Sequence, residues 1–284
     1  MKRVLVLLMT AMLALAGCAK NVEATPDAAS PDGATADEAT SDEALFDPLE
    51  YMLSLQVETE PPTEPPTLEE LVQARYDEIL NGKLKDDYAS LDNVKPYDQI
   101  GTGMQAACES LALTAAINHF GYDLDADDVV DDYLVYSDNY VTGYCGNPRR
   151  FYDGSGVYPP GLITTAWNFI EENDAPIYPF DTTGLSLEEL FKFVDAGCPV
   201  LIWTTYDEIS PRIEQYREYE GIKYPWYENE HCVCLYGYHL GDNEVKVANS
   251  WKTYEDWKGR DNFERIYDEC GQFSMVLMGT SGLR

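Results

Sequence analysis

Basic residues are scarce in this chain. Nineteen Lys and Arg stand against 51 Asp and Glu, giving a formal net charge of −32. Such a balance excludes nucleic acid as a partner and repels anionic lipid head groups. It suits solubility outside a cell and, among peptides, favours basic ones. Histidines number only three, His119, His231 and His239, so the search for a general base is short. The sequence has no apolar run of the roughly 18 residues that a membrane-crossing helix needs. It also has no internal repeat and no Gly-rich loop of the kind that cradles phosphate. No Cys-x2-Cys pair occurs, and Cys232-Val-Cys234 has the wrong spacing for a zinc knuckle, so neither metal nor cofactor is expected. Seven cysteines are present. An odd number cannot all pair within one chain, and a buried inert thiol is the expectation for Cys145, Cys198, Cys232, Cys234 and Cys270.

The two ends of the chain differ in kind. Lys2 and Arg3 precede an apolar run from Val4 to Leu15, the pattern of an export signal. That run ends in Leu15-Ala16-Gly17-Cys18, which resembles the bacterial lipobox, where the cysteine is acylated and becomes the first mature residue. The resemblance implies a signal over residues 1–18, a lipid anchor on Cys18 and a protein held to the bilayer in the cell envelope, facing outward. Residues 19–66 are rich in Ala, Thr, Pro, Asp and Glu and have Lys20 as their one basic residue. Such a segment cannot bury enough apolar surface to offset its conformational entropy, so a disordered tether is expected. The repeated Glu-Pro-Pro-Thr near its end reads as a stiff spacer. Residues 67–284 are long enough for a single domain with a substantial core.

Two segments of that domain carry candidate chemistry. From Ala106 to Phe120 the residues are apolar and helix-forming, and Gly121 supplies a stop, which predicts a buried helix. Cys108 falls in its first turn, where unpaired backbone N–H groups and the helix dipole are expected to lower the thiol pKa and arm a nucleophile. An isolated cysteine in such a helix is ordinarily just a small core residue. The second segment changes that reading. His231 to His239 alternates in a strand-like way, Gly241-Asp242-Asn243 offers a turn, and Glu244 to Trp251 returns, predicting a hairpin. The ends of its arms meet, placing Asn249 beside His231, where its amide can fix the imidazole's tautomer and orientation. Trp251 is placed to cover the pair. His119 lies eleven residues beyond Cys108, about 16 Å along a helix, and so is excluded as the base. His239 lies about 26 Å from His231 along an extended strand, and the pairing with Asn249 selects His231.

Between these segments, Pro160–Asn173 and Ser186–Ala196 read as amphipathic helices, the second opened by a Ser186-x-x-Glu189 capping box. Val200–Thr204 reads as a buried strand. Residues 206–230 read as a polar, Tyr-rich insertion whose Tyr219, Tyr224, Trp226 and Tyr227 either line a cleft or pack the loop itself.

The run from His231 through Gly237-Tyr238 to Asn249-Ser250-Trp251 resembles the hairpin of papain-like cysteine peptidases. The stretch from Gln99 through Cys108-Glu-Ser-Leu-Ala to Asn118-His-Phe-Gly121 is similar to the C39-like peptidases of the same superfamily. The likeness spans about residues 94–281. Ala107 stands where that family usually has glycine, and Asn249 where many members carry aspartate. The resemblance implies an α+β domain of the papain-like two-lobed cysteine peptidase type, a helical first half with its nucleophile helix packed on an antiparallel sheet. It also implies a glutamine upstream of the cysteine that helps bind the oxyanion, with Gln99 preferred over Gln105. The implied reaction is attack of Cys108 on an amide carbonyl and hydrolysis of the thioester, with His231 moving protons and a peptide or protein as substrate. Amidase, transglutaminase and peptidoglycan-peptide hydrolase chemistry use the same constellation. The contrasting expectation is a surface binding protein that keeps the cleft without turnover. Oligomeric state is not legible.

Overall fold

The computed structural model describes residues 65–253 and 257–283. The expected export signal, Cys18 and the tether up to residue 64 lie outside the described residues. The described part opens with α1 (Leu68–Asn81), capped by Thr67: its side chain accepts from Glu70 N at 3.2 Å, and Glu70 returns a carboxylate to Thr67 N at 2.8 Å. This Thr-x-x-Glu box satisfies two otherwise unpaired N–H groups.

Strand β1 (Tyr88–Ser90) leads by a long loop to α2 (Cys108–His119). Every residue of α2 from Cys108 to Ile117 is buried. A helix apolar on all faces belongs inside, and this one is covered on every side. After a short π-helical turn (Val129–Tyr133) come a small ribbon, β2 (Cys145–Gly146) with β3 (Gly154–Gly156), and helix α3 (Pro159–Asn173). Then follow β4 (Ile177–Asp181), α4 (Leu187–Asp195) and β5 (Val200–Thr205). The predicted capping box on α4 is present, with Ser186 Oγ accepting from Glu189 N and Glu189 accepting from Ser186 N.

The Tyr-rich insertion is a second hairpin, β6 (Ile213–Tyr219) and β7 (Ile222–Tyr227), where a polar loop was expected. Its turn is Glu220-Gly221, both with positive φ, 51° and 79°. That is the mirror-image turn whose twist suits two-residue hairpins. Strand β6 is almost wholly exposed, whereas Tyr224, Trp226 and Tyr227 of β7 are buried, so these aromatic residues chiefly pack the hairpin onto the domain. Last come β8 (Glu230–His239), β9 (Glu244–Ala248), β10 (Trp257–Gly259), α5 (Arg260–Glu269) and β11 (Ser274–Gly279).

One antiparallel sheet organises these elements, in the order β10-β9-β8-β5-β11-β4, with β1 also paired to β8. Side-chain alternation splits its core in two. Leu201 and Trp203 of β5, Cys232 and Cys234 of β8, and Leu277 of β11 pack with α2 and α3 on one face. Val200, Ile202, Val233, Leu235 and Val276 pack with α1, α4 and α5 on the other. Burial of each such aliphatic side chain contributes roughly 1.5–3 kcal/mol. The fold class is the expected α+β arrangement, with the Cys108 helix laid on an antiparallel sheet. Helix α5 adds a helix to a second half expected to be mainly sheet. All six cysteines among the described residues are free thiols. No helix among the described residues is long and apolar enough to cross a membrane.

Candidate active site

Cys108 is the first residue of α2 and follows the long loop from β1, which packs back against β8 and the residues just after β9. Ala107 precedes it with φ −117° and ψ 32°. This is ordinary negative-φ backbone, so a methyl group is tolerated where the related family usually has glycine. The Ala106 carbonyl is held by the Tyr144 hydroxyl, fixing the loop just ahead of the nucleophile candidate.

The hairpin β8–β9 brings His231 and Asn249 together as its spacing predicts. His231 Nε2 lies 2.9 Å from Asn249 Oδ1. That oxygen also accepts from the backbone N–H groups of Trp251 at 2.9 Å and Lys252 at 3.3 Å. Two backbone donors can face only an acceptor, so the amide orientation is determined, and His231 must donate from Nε2. Its Nδ1 is then left with a free lone pair, the state a general base requires. An aspartate is unnecessary for this because the amide oxygen alone supplies the acceptor. The imidazole is buried, and that burial pushes its pKa down to about 4, even though the Asn249 bond acts in the opposite sense.

Gln99 is buried and tied to the same hairpin. Its backbone N–H donates to Ser250 O at 3.0 Å, its Oε1 accepts from Ser250 Oγ at 2.8 Å, and its Nε2 donates to Gln105 O at 2.8 Å. The second Nε2 hydrogen remains for the cleft. Gln105 is half-buried, and its Oε1 takes the Phe151 N–H at 3.4 Å.

Cys108, His231, Gln99, Gln105, Glu230 and Trp251 line one open cleft of about 430 Å³. The exposed Tyr152 and the ring of Phe151 form part of its rim, with Trp251 packed between Phe151 and Tyr206 at centroid distances of 5.9 and 5.7 Å. Asn249 stands behind His231. The remaining two histidines are elsewhere. His119 is held between the carbonyls of Asp92 and Gly197, and His239 bonds to Asp242 at the far end of β8.

Two glutamates that sequence reasoning left out complete the site. Glu109, the next residue of α2, is fully buried; its Oε1 accepts from Val157 N at 2.7 Å and its Oε2 faces Cys108 Sγ at 3.3 Å. Glu230, the residue before His231, places Oε2 3.9 Å from the same sulfur, while its Oε1 is sealed from solvent without a hydrogen-bond partner. Alternation along β8 explains the arrangement. Glu230 and Cys232 point toward α2, and His231 points toward Asn249.

The thiol is therefore not lowered, as its helix position predicted, but raised well above its ordinary value. Burial is the main cause, and the Glu109 and Glu230 carboxyls add to it. Glu109 itself is raised to about 7 by burial, and Glu230 is raised further by burial and by Glu109. The dipole at a helix terminus is worth about 0.3–1 kcal/mol, too little to offset two adjacent buried carboxyls. In this structure the sulfur's side-chain hydrogen bonds go to these glutamates, and the resting pair is a thiol and a neutral imidazole.

Comparison with known proteins gives the chain's family. Residues 91–275 match the Peptidase_C39 like family. The uncharacterized protein YvpB of Bacillus subtilis strain 168 is 24% identical over 216 residues, which cover 71% of this chain and 81% of that protein. A crystal structure described as a C39-like peptidase from Bacillus anthracis superposes with a TM-score of 0.56 at 27% identity, covering 68% of this chain and 98% of that one. Xylellain, a cysteine protease from Xylella fastidiosa, gives a TM-score of 0.40 at 15% identity over 71% of this chain and 88% of its own.

Proposed function

From the chain's membership of the Peptidase_C39 like family, we propose that it is a cysteine hydrolase that cleaves amide bonds in peptides through a thioester on Cys108. The observation that carries this reading is the convergence of Cys108, Gln99 and an Asn249-oriented His231 on one open cleft. The Cys108 proton passes to His231 Nδ1 as sulfur attacks the carbonyl carbon. The protonated imidazole then donates to the departing amine, and a water activated by His231 hydrolyses the thioester. Gln99 Nε2 and the Cys108 backbone N–H are the oxyanion donors, and each such donor is worth on the order of 3 kcal/mol. Because the resting pair is neutral, the proton moves during attack, and substrate binding must draw sulfur away from the glutamates. The lipobox-like Leu15-Ala16-Gly17-Cys18 supports an outward-facing protein tethered to a bilayer through acylated Cys18.

Incubation of the purified chain with a mixed peptide library, read by mass spectrometry, tests the activity. New cleavage products that vanish in Cys108→Ala are expected. Absence of products, with no acyl adduct on Cys108, contradicts it. The raised thiol and its carboxyl neighbours favour one second reading, a binding protein on a peptidase scaffold. Such a protein retains peptides on the cleft unchanged, and Cys108→Ala leaves that binding intact.

A further inference from the structure

We propose that Cys108, Glu109 and Glu230 form a binding site for a thiophilic divalent cation of the zinc type, which caps the nucleophile and switches the cleft off. The binding site rests on the geometry of the cleft, and its switching role rests on Cys108 being the nucleophile proposed above.

One ligand atom from each of the three residues lies within 4.8 Å of the other two. The separations that serve the sulfur's hydrogen bonds also suit a metal ion. A tetrahedral ion with a sulfur ligand at about 2.3 Å and carboxylate oxygens at about 2.1 Å holds sulfur and oxygen about 3.6 Å apart. The observed Sγ to Oε2 distances, 3.3 Å to Glu109 and 3.9 Å to Glu230, bracket that value. An ion there needs only small adjustments of side chains already pointed at one another.

A second observation points to a ligand independently. Glu230 Oε1 is sealed from solvent and has no hydrogen-bond partner. A buried carboxyl oxygen without a donor is costly, and a cation held by the other oxygen of the same carboxylate lies beside it and offsets that cost. Glu109 is equally committed, since it is fully buried and its Oε1 is anchored by Val157 N. That bond orients Oε2 toward the sulfur, as an outer-shell partner orients a ligand.

Access and selectivity follow from the surroundings. Cys108 and Glu230 line the cleft, so a fourth coordination position opens to water. One thiolate with two carboxylates suits zinc, cobalt or cadmium, whereas magnesium and calcium prefer all-oxygen sites. On binding, the sulfur–metal bond replaces the S–H bond, and the thiol proton, together with any proton on the two carboxyls, passes to solvent. With its lone pairs engaged, the sulfur is unavailable for attack.

The test uses the full-length chain with cobalt(II), zinc and magnesium salts. Cobalt is expected to produce a near-ultraviolet thiolate-to-metal absorption band, and micromolar zinc to slow alkylation of Cys108 by iodoacetamide at least 10-fold, with magnesium doing neither. Cys108→Ser should abolish the band, and Glu230→Gln should weaken cobalt binding at least 10-fold. The proposal is overturned if wild-type protein shows no band and no protection. It is equally overturned if metal binds with the same affinity in both variants, which would place the ion on surface carboxylates. Because the wild-type measurements decide by themselves, a variant that fails to fold does not shield the proposal.

Discussion

The two faces of β8 treat their polar residues in opposite ways. At the start of β8, His231 meets Asn249, whose oxygen is in turn fixed by two backbone N–H groups. His231 Nε2 and Asn249 Oδ1 are both satisfied in that chain of contacts, and the other ring nitrogen is left with a free lone pair. Toward α2, Glu230 and Glu109 crowd one sulfur, and one carboxyl oxygen is unsatisfied. The first face is preorganised, and the second holds a thiol in its protonated form. The proposed nucleophile and its proposed base thus line one cleft, while local electrostatics keep the thiol protonated.

This contrast can be broken from either side. The largest expected effect is on the satisfied face: His231→Ala should slow covalent modification of Cys108 by a peptidyl epoxide by about 10²–10⁴-fold, the range for general acid–base groups. Stopped time courses read by intact mass measure it. On the crowded face, Gly156 has φ +138°, and a Cβ there would stand 2.2 Å from Glu109 Oε1. Gly156→Ala should cost about 3 kcal/mol in urea unfolding through backbone strain and displacement of that buried carboxyl. A shift of less than about 0.5 kcal/mol would mean that the carboxyl relaxes freely.

Glu109→Gln should have a smaller effect of opposite sign. It keeps an acceptor for Val157 N and removes a titratable carboxyl that helps raise the thiol, so iodoacetamide should label Cys108 about 10-fold faster at neutral pH, one pKa unit being 1.36 kcal/mol. Unchanged or slower labelling would show that burial alone sets the thiol. The smallest effect lies outside the site. Ser186→Ala should remove the cap of α4 and lower stability by about 1 kcal/mol. Glu189 pairs with that cap, and its pKa is lowered chiefly by the Ser186 side-chain hydrogen bond. A carboxyl with a depressed folded-state pKa contributes stability that is present above its unfolded value and lost as pH falls through the folded one. The difference between wild type and variant should therefore shrink in acid. Since Glu189 is only half-buried, that pH-dependent part should be a small fraction of the total.

Much of the satisfied face was legible in the sequence. Alternation from His231 to His239, a turn at 241–243 and the return to Asn249 suffice to pair histidine and amide, because strand geometry is periodic and the turn sets the register. The capping box of α4 was equally plain, and that of α1, Thr67-x-x-Glu70, was there to be read. The crowded face was not read, although its signals were present. A glutamate in the first turn of an otherwise apolar helix and a glutamate two residues before buried Cys232 both point inward by their periodicities. What no local pattern gives is that the two inward directions converge on one sulfur, since that depends on how α2 is laid across β8. The expectation of a lowered thiol pKa failed for the same reason: it counted the helix terminus and not the carboxyls brought to it by tertiary packing. The hairpin β6–β7 was hidden by its polar, exposed strand, which lacks the apolar alternation of a half-buried one.

The most direct test of the central claim is site-mapped labelling of Cys108 by an epoxide or iodoacetamide probe in wild type, His231→Ala and Asn249→Ala. The account predicts that labelling maps to Cys108, falls by at least 10²-fold without His231 and falls by a lesser factor without Asn249. Labelling that ignores both substitutions, or that never reaches Cys108, would contradict it.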